Sequence, residues 1–213
     1  MIILSLYALA VGAPIFIDKF VEQTLEPGRE VSLKCIASGN PLPQVTWSLD
    51  GYPIPDTSSR FRTGDYVTPV GLLVSYVNIT SIVTEDGGLY QCKASNGIGT
   101  VGHSARLRIF GPPMVRPMRN VSAVAGEPLM VTCPVGGHPI EGIFWELNGV
   151  RLPYNHRQKV FPNGTLLVAD VERLSDEGKY KCVATGKDGK FSSNSLAVNV
   201  LSKFHSESNT FRR

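Results

Sequence analysis

The sequence predicts an all-β chain folded as two tandem Greek-key β-sandwiches, each closed by one disulfide between its sheets. Three observations carry that expectation. The stretch Asp86-Gly87-Gly88-Leu89-Tyr90-Gln91-Cys92 recurs as Asp176-Glu177-Gly178-Lys179-Tyr180-Lys181-Cys182, so the pattern D-x-G-x-Y-x-C occurs twice. Each copy lies downstream of another cysteine and a tryptophan, Cys35 and Trp47 in one case and Cys133 and Trp145 in the other. The chain also aligns on itself. An offset of 98 residues matches Gly28 with Gly126, Cys35 with Cys133, Trp47 with Trp145, Gly51 with Gly149 and Pro55 with Pro153. An offset of 90 then matches Asp86 with Asp176, Tyr90 with Tyr180, Cys92 with Cys182 and Gly99 with Gly189. Self-similarity of this kind marks a repeated structural unit, and 213 residues suit two domains of about 100.

Cysteine usage narrows the class further. There are four cysteines and no C-x-x-C, which argues against a zinc ribbon or a thioredoxin-type site. The repeat selects Cys35–Cys92 and Cys133–Cys182 among the possible pairings. In the chain-entropy picture, loops of this size contribute roughly 4 kcal/mol each. Such bonds persist in oxidising compartments. The net charge of +3 is slight and the basic residues are scattered, which speaks against a nucleic-acid partner. No stretch approaches the ~20 apolar residues of a membrane span.

Residues 1–13 read as an apolar leader or the remnant of a preceding segment. The first domain covers 14–110. Ile15 and Ile17 alternate about Phe16, and Gly28-Arg29-Glu30 forms a turn. Val31-Ser32-Leu33-Lys34-Cys35 is a period-2 strand with Val, Leu and Cys inward. Gly39 to Pro43 is a loop by composition. Val45, Trp47 and Leu49 alternate inward up to the hairpin turn Asp50-Gly51. Val77 and Ile79 point inward ahead of the first corner, and His103, Ala105, Leu107 and Ile109 share one face of the last strand. Phe110-Gly111-Pro112-Pro113 is the boundary, short enough to predict two sandwiches end to end with limited swing. The second domain, 111–201, repeats the plan: Leu129, Val131 and Cys133, then Ile143 and Trp145, the turn Asn148-Gly149, Leu166 and Val168, and last Leu196, Val198 and Val200. Residues 202–213 are polar without periodicity and read as a disordered tail. The first domain holds eight more residues than the second between Pro55 and its corner.

At each corner the Asp and Gly turn the chain tightly, and the Tyr and Cys then face one side of the next strand. Asp86, Gly88, Asp176 and Gly178 are the corner residues. Trp47, Tyr90, Trp145 and Tyr180 are core residues, the tryptophans packing on the disulfides. The aspartates accept hydrogen bonds at the corner and pair with a base on the strand before it, Arg60 or Arg62 in one domain and Arg157 or Lys159 in the other. The four histidines show no metal spacing. No nucleophile motif or phosphate loop is present. The sequence therefore points to a binding module with no catalytic residues, cofactor or metal.

Gly39-x-Pro41-x-Pro43-x-x-x-Trp47, the two corners and Cys92-x-Ala94-x-Asn96-x-x-Gly99 resemble I-set immunoglobulin domains of neural adhesion receptors. In that fold the corner Tyr opens the sixth strand, F. The second domain departs in having Gly186 where the first has Asn96, and Glu141 for the second loop proline. Cys133-Pro-Val-Gly-Gly-His-Pro-Ile140, Arg157 to Leu166, Val74 to Thr80 and Glu85 to Gly88 look like the arthropod Down syndrome cell adhesion molecule (Dscam-like) family, over about residues 14–201. The resemblance implies homophilic cell adhesion, axon guidance and dendrite self-avoidance, and in arthropods a secreted immune role. It places the pair among non-variable domains that space and orient the binding domains. Partners are then neighbouring immunoglobulin domains of a longer receptor, or a second copy. The location implied is the outer face of the plasma membrane or the secreted fraction. The competing readings are a secreted immune-type immunoglobulin protein and an intracellular structural I-set array, the latter disfavoured by the cysteine pairs and sequons.

Three sequons occur: Asn78-Ile-Thr, Asn120-Val-Ser and Asn163-Gly-Thr. Asn78 lies between inward Val77 and Ile79 and faces solvent, Asn163 sits in a Pro-Asn-Gly turn, and Asn120 is near the first strand of its domain. Glycans at these positions would shield the sheet of strands A, B, E and D and leave the opposite C-F-G sheet for a partner. By parity Phe144, Val183 and Ala197 fall outward on that sheet, either as an ordinary scatter of exposed apolar residues, the preferred reading, or as a small apolar patch.

Overall fold

The structure is a computed structural model that describes residues 11–54 and 59–202. Residues 1–10, 55–58 and 203–213, His205 included, lie outside the described residues, and with them most of the leader and tail readings; of the expected leader 1–13, Gly12 and Ala13 belong to the first strand of the sandwich. The chain divides into two compact units between Gly111 and Pro112. Both are all-β sandwiches, as predicted.

In the first unit the strands are β1 (Gly12–Lys19), β2 (Gln23–Leu25), β3 (Val31–Asn40), β4 (Gln44–Leu49), β5 (Tyr52–Pro53), β6 (Phe61–Val67), β7 (Leu73–Ile79), β8 (Gly88–Ser95) and β9 (Thr100–Ile109). They form a sheet ordered β1-β3-β7-β6 and a facing sheet ordered β2-β9-β8-β4-β5. The short β2 runs parallel to β9, so the first edge of the chain serves both sheets. The period-2 pattern does what the alternation demands. Leu33, Cys35, Val77, Ile79, Tyr90 and Cys92 are all at most 1% exposed and make one core with Trp47 and Ile109. β1 begins at Gly12 and turns Phe16, not its isoleucine neighbours, toward this core. Ile15 and Ile17 are left 59% and 54% exposed.

The second unit holds β10 (Gly111–Val115), β11 (Val121–Val124), β12 (Leu129–Thr132), β13 (Val135–His138), β14 (Ile140–Leu147), β15 (Val150–Arg151), β16 (Gln158–Val160), β17 (Thr165–Val168), β18 (Gly178–Gly186) and β19 (Phe191–Leu201), with one helical turn, α1 (Arg173–Asp176). Its larger sheet is ordered β11-β19-β18-β14-β15, with β11 parallel to β19. The other side is β12-β17-β16 beside the pair β10-β13. The single strand β3 of the first unit is thus split here into β12 and β13. The break falls at Cys133-Pro134, where proline has no N–H to give the ladder.

The eight extra residues have a definite place. In the first unit Thr80 N–H donates to Arg60 O, and in the second Ala169 N–H donates to Arg157 O, closing equivalent hairpins. Their tips are built alike. Thr68 N–H donates to Leu72 O and Gly71 N–H to Thr68 O; Phe161 N–H donates to Thr165 O and Gly164 N–H to Phe161 O. Gly71 and Gly164 take φ of +81° and +84°, a region glycine enters without penalty. The insertion therefore lengthens both arms of one hairpin and leaves its base and tip unchanged.

The disulfides Cys35–Cys92 and Cys133–Cys182 cross between the sheets, with Cα separations of 6.7 and 6.0 Å. Replacing Cys35 and Cys92 together by Ala is expected to lower the stability of the first unit by about 2–4 kcal/mol. Urea unfolding followed by tryptophan fluorescence measures it, and an unshifted midpoint would contradict the expectation.

Candidate functional site

The two corners are built around buried carboxylates. Asp86 is 4% exposed and Asp176 is fully buried. In the first unit Asp86 Oδ2 accepts the Val83 N–H at 2.8 Å, and the carboxylate is held by both terminal nitrogens of Arg60. Tyr90 donates its hydroxyl to Asp86 O at 2.7 Å. In the second unit Asp176 Oδ2 accepts Glu172 N–H at 2.8 Å and Arg157 Nη1 at 2.7 Å, and the Tyr180 hydroxyl donates to Asp176 O at 2.8 Å. Of the alternatives left open by the sequence, Arg60 and Arg157 make the pairs; Arg62 and Lys159 sit two residues further into their hairpins. Arg157 also reaches the carbonyls of Ala169 and Asp170 and the side chains of Glu172 and Ser175. A bidentate guanidinium matched to a carboxylate is the arrangement in which a desolvated pair holds together.

A second bond, not foreseen from sequence, fixes the glycine of the motif. Asp50 and Asn148 stand at φ +50° and +49° and are followed by Gly51 and Gly149 at positive φ, the conformation of a two-residue hairpin turn. Asp50 Oδ1 accepts Leu89 N–H at 2.9 Å, and Asn148 Oδ1 accepts Lys179 N–H at 3.0 Å. A Cβ on Gly178 would lie 2.6 Å from Asn148 Nδ2. The corner glycine is therefore needed for the close approach of the hairpin turn. The aligned Asp-Gly and Asn-Gly dipeptides were the available signal. Asn96 makes a further knot in the first unit. Its Nδ2 donates to Gly12 O and Pro41 O, and its Oδ1 accepts from Ile98 and Gly99. Gly186 takes that place in the second unit, where a Cβ would lie 3.1 Å from Pro113 Cδ.

The tryptophans share the buried clusters with their disulfides. Trp47 Nε1 donates to Ser75 Oγ and Trp145 Nε1 to Gly164 O, so neither indole N–H is stranded. His103 lies edge-on to Phe20, its Nε2 2.7 Å from Phe20 O. Among the described residues no group of three or more His, Cys, Asp and Glu is placed to hold a metal ion, and no helix is long and apolar enough to cross a membrane.

The sequons do not all fall on one sheet. Asn78 is half-buried on the outer face of β7, and its Oδ1 accepts Ser32 Oγ–H at 2.7 Å. Asn163 is exposed at the hairpin tip and accepts Thr165 N–H. Asn120 directly precedes β11, which pairs with β19, and its Oδ1 accepts Ala197 N–H at 2.9 Å. It therefore stands at the edge of the sheet expected to stay clear. Of the two readings of the outward apolar residues, the structure has no patch. Val183 is 5% exposed, and Phe144 is half-covered, with the Arg151 guanidinium 4.3 Å from its ring centroid. Phe144 pairs with Val183, but Ala197 pairs with Lys179, four residues along β18. The three do not form one exposed surface.

Comparison with known proteins places these features. Residues 14–96 match the family described as immunoglobulin domain, and residues 112–200 match the immunoglobulin I-set domain. Cell adhesion molecule Dscam1 of Drosophila melanogaster is 49% identical over 188 residues, 88% of this chain and 9% of its own length. Cell adhesion molecule DSCAM of Homo sapiens is 42% identical over 190 residues, 89% of this chain and 9% of its own length. The crystal structure of the N-terminal eight Ig domains of Down syndrome cell adhesion molecule isoform 1.30.30 is similar with a TM-score of 0.86 and 48% identity, covering 90% of this chain and 24% of that one. The chain thus spans 9% of the length of the curated relatives it matches.

Two outcomes follow from the corner geometry. Asp176→Ala removes one partner of Arg157, which keeps Glu172, Ser175 and two carbonyls, and leaves the Glu172 N–H unpaired; it is expected to cost about 1–3 kcal/mol in urea unfolding of the second unit. Asp86→Ala is expected to cost less, because Arg60 is 35% exposed and solvent screens it. The phenols of Tyr90 and Tyr180 are raised well above the ordinary tyrosine range, by burial first and then by the charge of Asp86 or Asp176. Folding favours their protonated forms, so their contribution is complete below about pH 10 and is lost as pH climbs toward the raised folded values. In an alkaline absorbance titration these two of the seven tyrosines should ionise only as the fold is lost. Ionisation of all tyrosines in one step near the ordinary value, with the fold intact, would contradict this.

Proposed function

The chain belongs to the immunoglobulin superfamily, in its Dscam branch, and we propose that it serves as an extracellular spacer pair within a longer cell-adhesion receptor. The observation that carries this reading is the 49% identity to the fly cell adhesion molecule across both sandwiches. The whole receptor would act in homophilic adhesion, axon guidance and dendrite self-avoidance, at the outer face of the plasma membrane or in secreted form. Within it this pair holds neighbouring domains at a set spacing. Two features support the spacer role. The disulfides and corners stiffen each sandwich without building a pocket of reactive groups. Phe144, Val183 and Ala197 offer no continuous apolar face to a second copy. Asn78, Asn120 and Asn163 are the proposed glycan sites, and their placement on both sides of the sandwiches suits a segment that is covered and not gripped.

The test is to secrete the chain from insect cells and measure intact mass, with and without glycosidase and reductant, together with sedimentation equilibrium. The expected result is two disulfides, attached glycan and a monomer, with Phe144→Arg changing nothing. A dimer that dissociates on Phe144→Arg would make the pair an adhesive surface. Free thiols without glycan would favour the intracellular structural array.

A further inference from the structure

The outer face of the β1-β3-β7-β6 sheet carries an aromatic platform next to a sequon. Along β7 the inward residues are Leu73, Ser75, Val77 and Ile79, so Val74, Tyr76 and Asn78 point outward together. Tyr76 and Asn78 are neighbours two residues apart, about 7 Å on a strand. Across the sheet Tyr76 pairs with Lys34 on β3 and with Gly64 on β6. Gly64 sits in the middle of a strand, where a glycine costs stability. Its role is steric: a Cβ there would lie 2.7 Å from Tyr76 Cζ. The phenol end of the Tyr76 side chain therefore leans across to β6 and occupies the space that a side chain at position 64 would fill. Val74 is only 2% exposed although it faces outward, and its register neighbours are Ile36 and Tyr66. Tyr66 itself stays 55% exposed.

The Asn78 side chain is anchored at one end. Its Oδ1 is bound by Ser32 Oγ–H on β3. Nδ2, the atom that takes a glycan, is the end of the amide left out of that bond; on β6 the register neighbour of Asn78 is Arg62, two residues from the Gly64 that faces Tyr76. A pyranose has an apolar face of axial C–H groups, which packs on an aromatic ring face whose electron density is negative. We infer that the first sugar of a glycan on Asn78 seats on the Tyr76 ring, so that this face of the first unit is closed by the protein's own carbohydrate and is not open to a partner. The inference rests on the reading that Asn78 is glycosylated. It goes beyond it in naming the residue that receives the sugar, and Gly64 as the residue that leaves room for the phenol.

The experiment uses the secreted chain. Glycopeptide mass first establishes occupancy at Asn78. Thermal midpoints of the first unit are then compared with and without the sugar, using Asn78→Gln, in the native and Tyr76→Leu backgrounds. Asn78→Gln should lower the midpoint by about 4 °C more beside Tyr76 than in the Tyr76→Leu background, the shift of a modest contact in a domain of this size, the loss of the Ser32 hydrogen bond being common to both. In parallel, after trimming to a single sugar, the N-acetyl methyl resonance of that sugar should move upfield under the Tyr76 ring current. This readout needs only the native chain and decides the matter if Tyr76→Leu does not fold. An occupied Asn78 with equal midpoint losses in both backgrounds, or with an unshifted methyl resonance, would overturn the seating alone. An unoccupied Asn78 would overturn the glycosylation reading and the seating with it.

Discussion

Each sandwich depends on one buried carboxylate. Asp86 and Asp176 sit where the chain leaves one sheet and enters the other. Burying an ionised carboxylate is costly unless it is paired and hydrogen-bonded. That cost is offset only if a guanidinium and a backbone N–H converge on the same group. Arg60 or Arg157 supplies the first and Val83 or Glu172 the second. The tyrosine hydroxyl then takes the backbone carbonyl of the same aspartate. A single residue therefore ties the base of one hairpin, the crossing loop and the strand that carries the second cysteine. The second cysteine of each disulfide, Cys92 or Cys182, lies on the strand that follows the junction, and Trp47 or Trp145 is its register neighbour on the adjacent strand.

This explains why so much was legible in the sequence. The corner and its cysteine are local, seven residues apart at most, and the strands around them alternate with period 2. The hairpin turns were legible for the same reason, since Asp50-Gly51 and Asn148-Gly149 carry their own φ preferences. What was not legible depends on register between distant strands. Arg60 and Arg62 are two residues apart, the first just ahead of β6 and the second on it, and only the hairpin closure at Thr80 puts Arg60 opposite the aspartate. Outward parity was right for Val183, yet its burial depends on neighbours that parity does not supply. Asn120 precedes a strand that joins β19, and nothing in residues 111–124 announces that change of sheet. Tyr76 and Gly64 are twelve residues apart in sequence and adjacent in space for the same reason.

The same register facts shape the functional reading. A surface for a second copy would require apolar side chains that are exposed and contiguous. On the β19-β18-β14 face of the second unit they are dispersed or covered, and on the outer face of the β1-β3-β7-β6 sheet of the first unit Tyr76 stands next to a sequon. Both observations fit a segment whose contribution to adhesion is its rigidity and its cover. The rigidity comes from the two carboxylate junctions, and the longer hairpin of the first unit extends the sheet without disturbing them.

The most direct test is native-state hydrogen exchange at two backbone amides, Val83 N–H and Glu172 N–H. Both lie outside the strands and would exchange by local opening if the corners were ordinary loops. If the carboxylate junction holds each sandwich together, these amides exchange only with global unfolding, at the same free energy as the amides of Tyr90 and Cys92, or of Tyr180 and Cys182. Exchange of Val83 and Glu172 at loop-like rates, while those strand amides stay protected, would contradict the account.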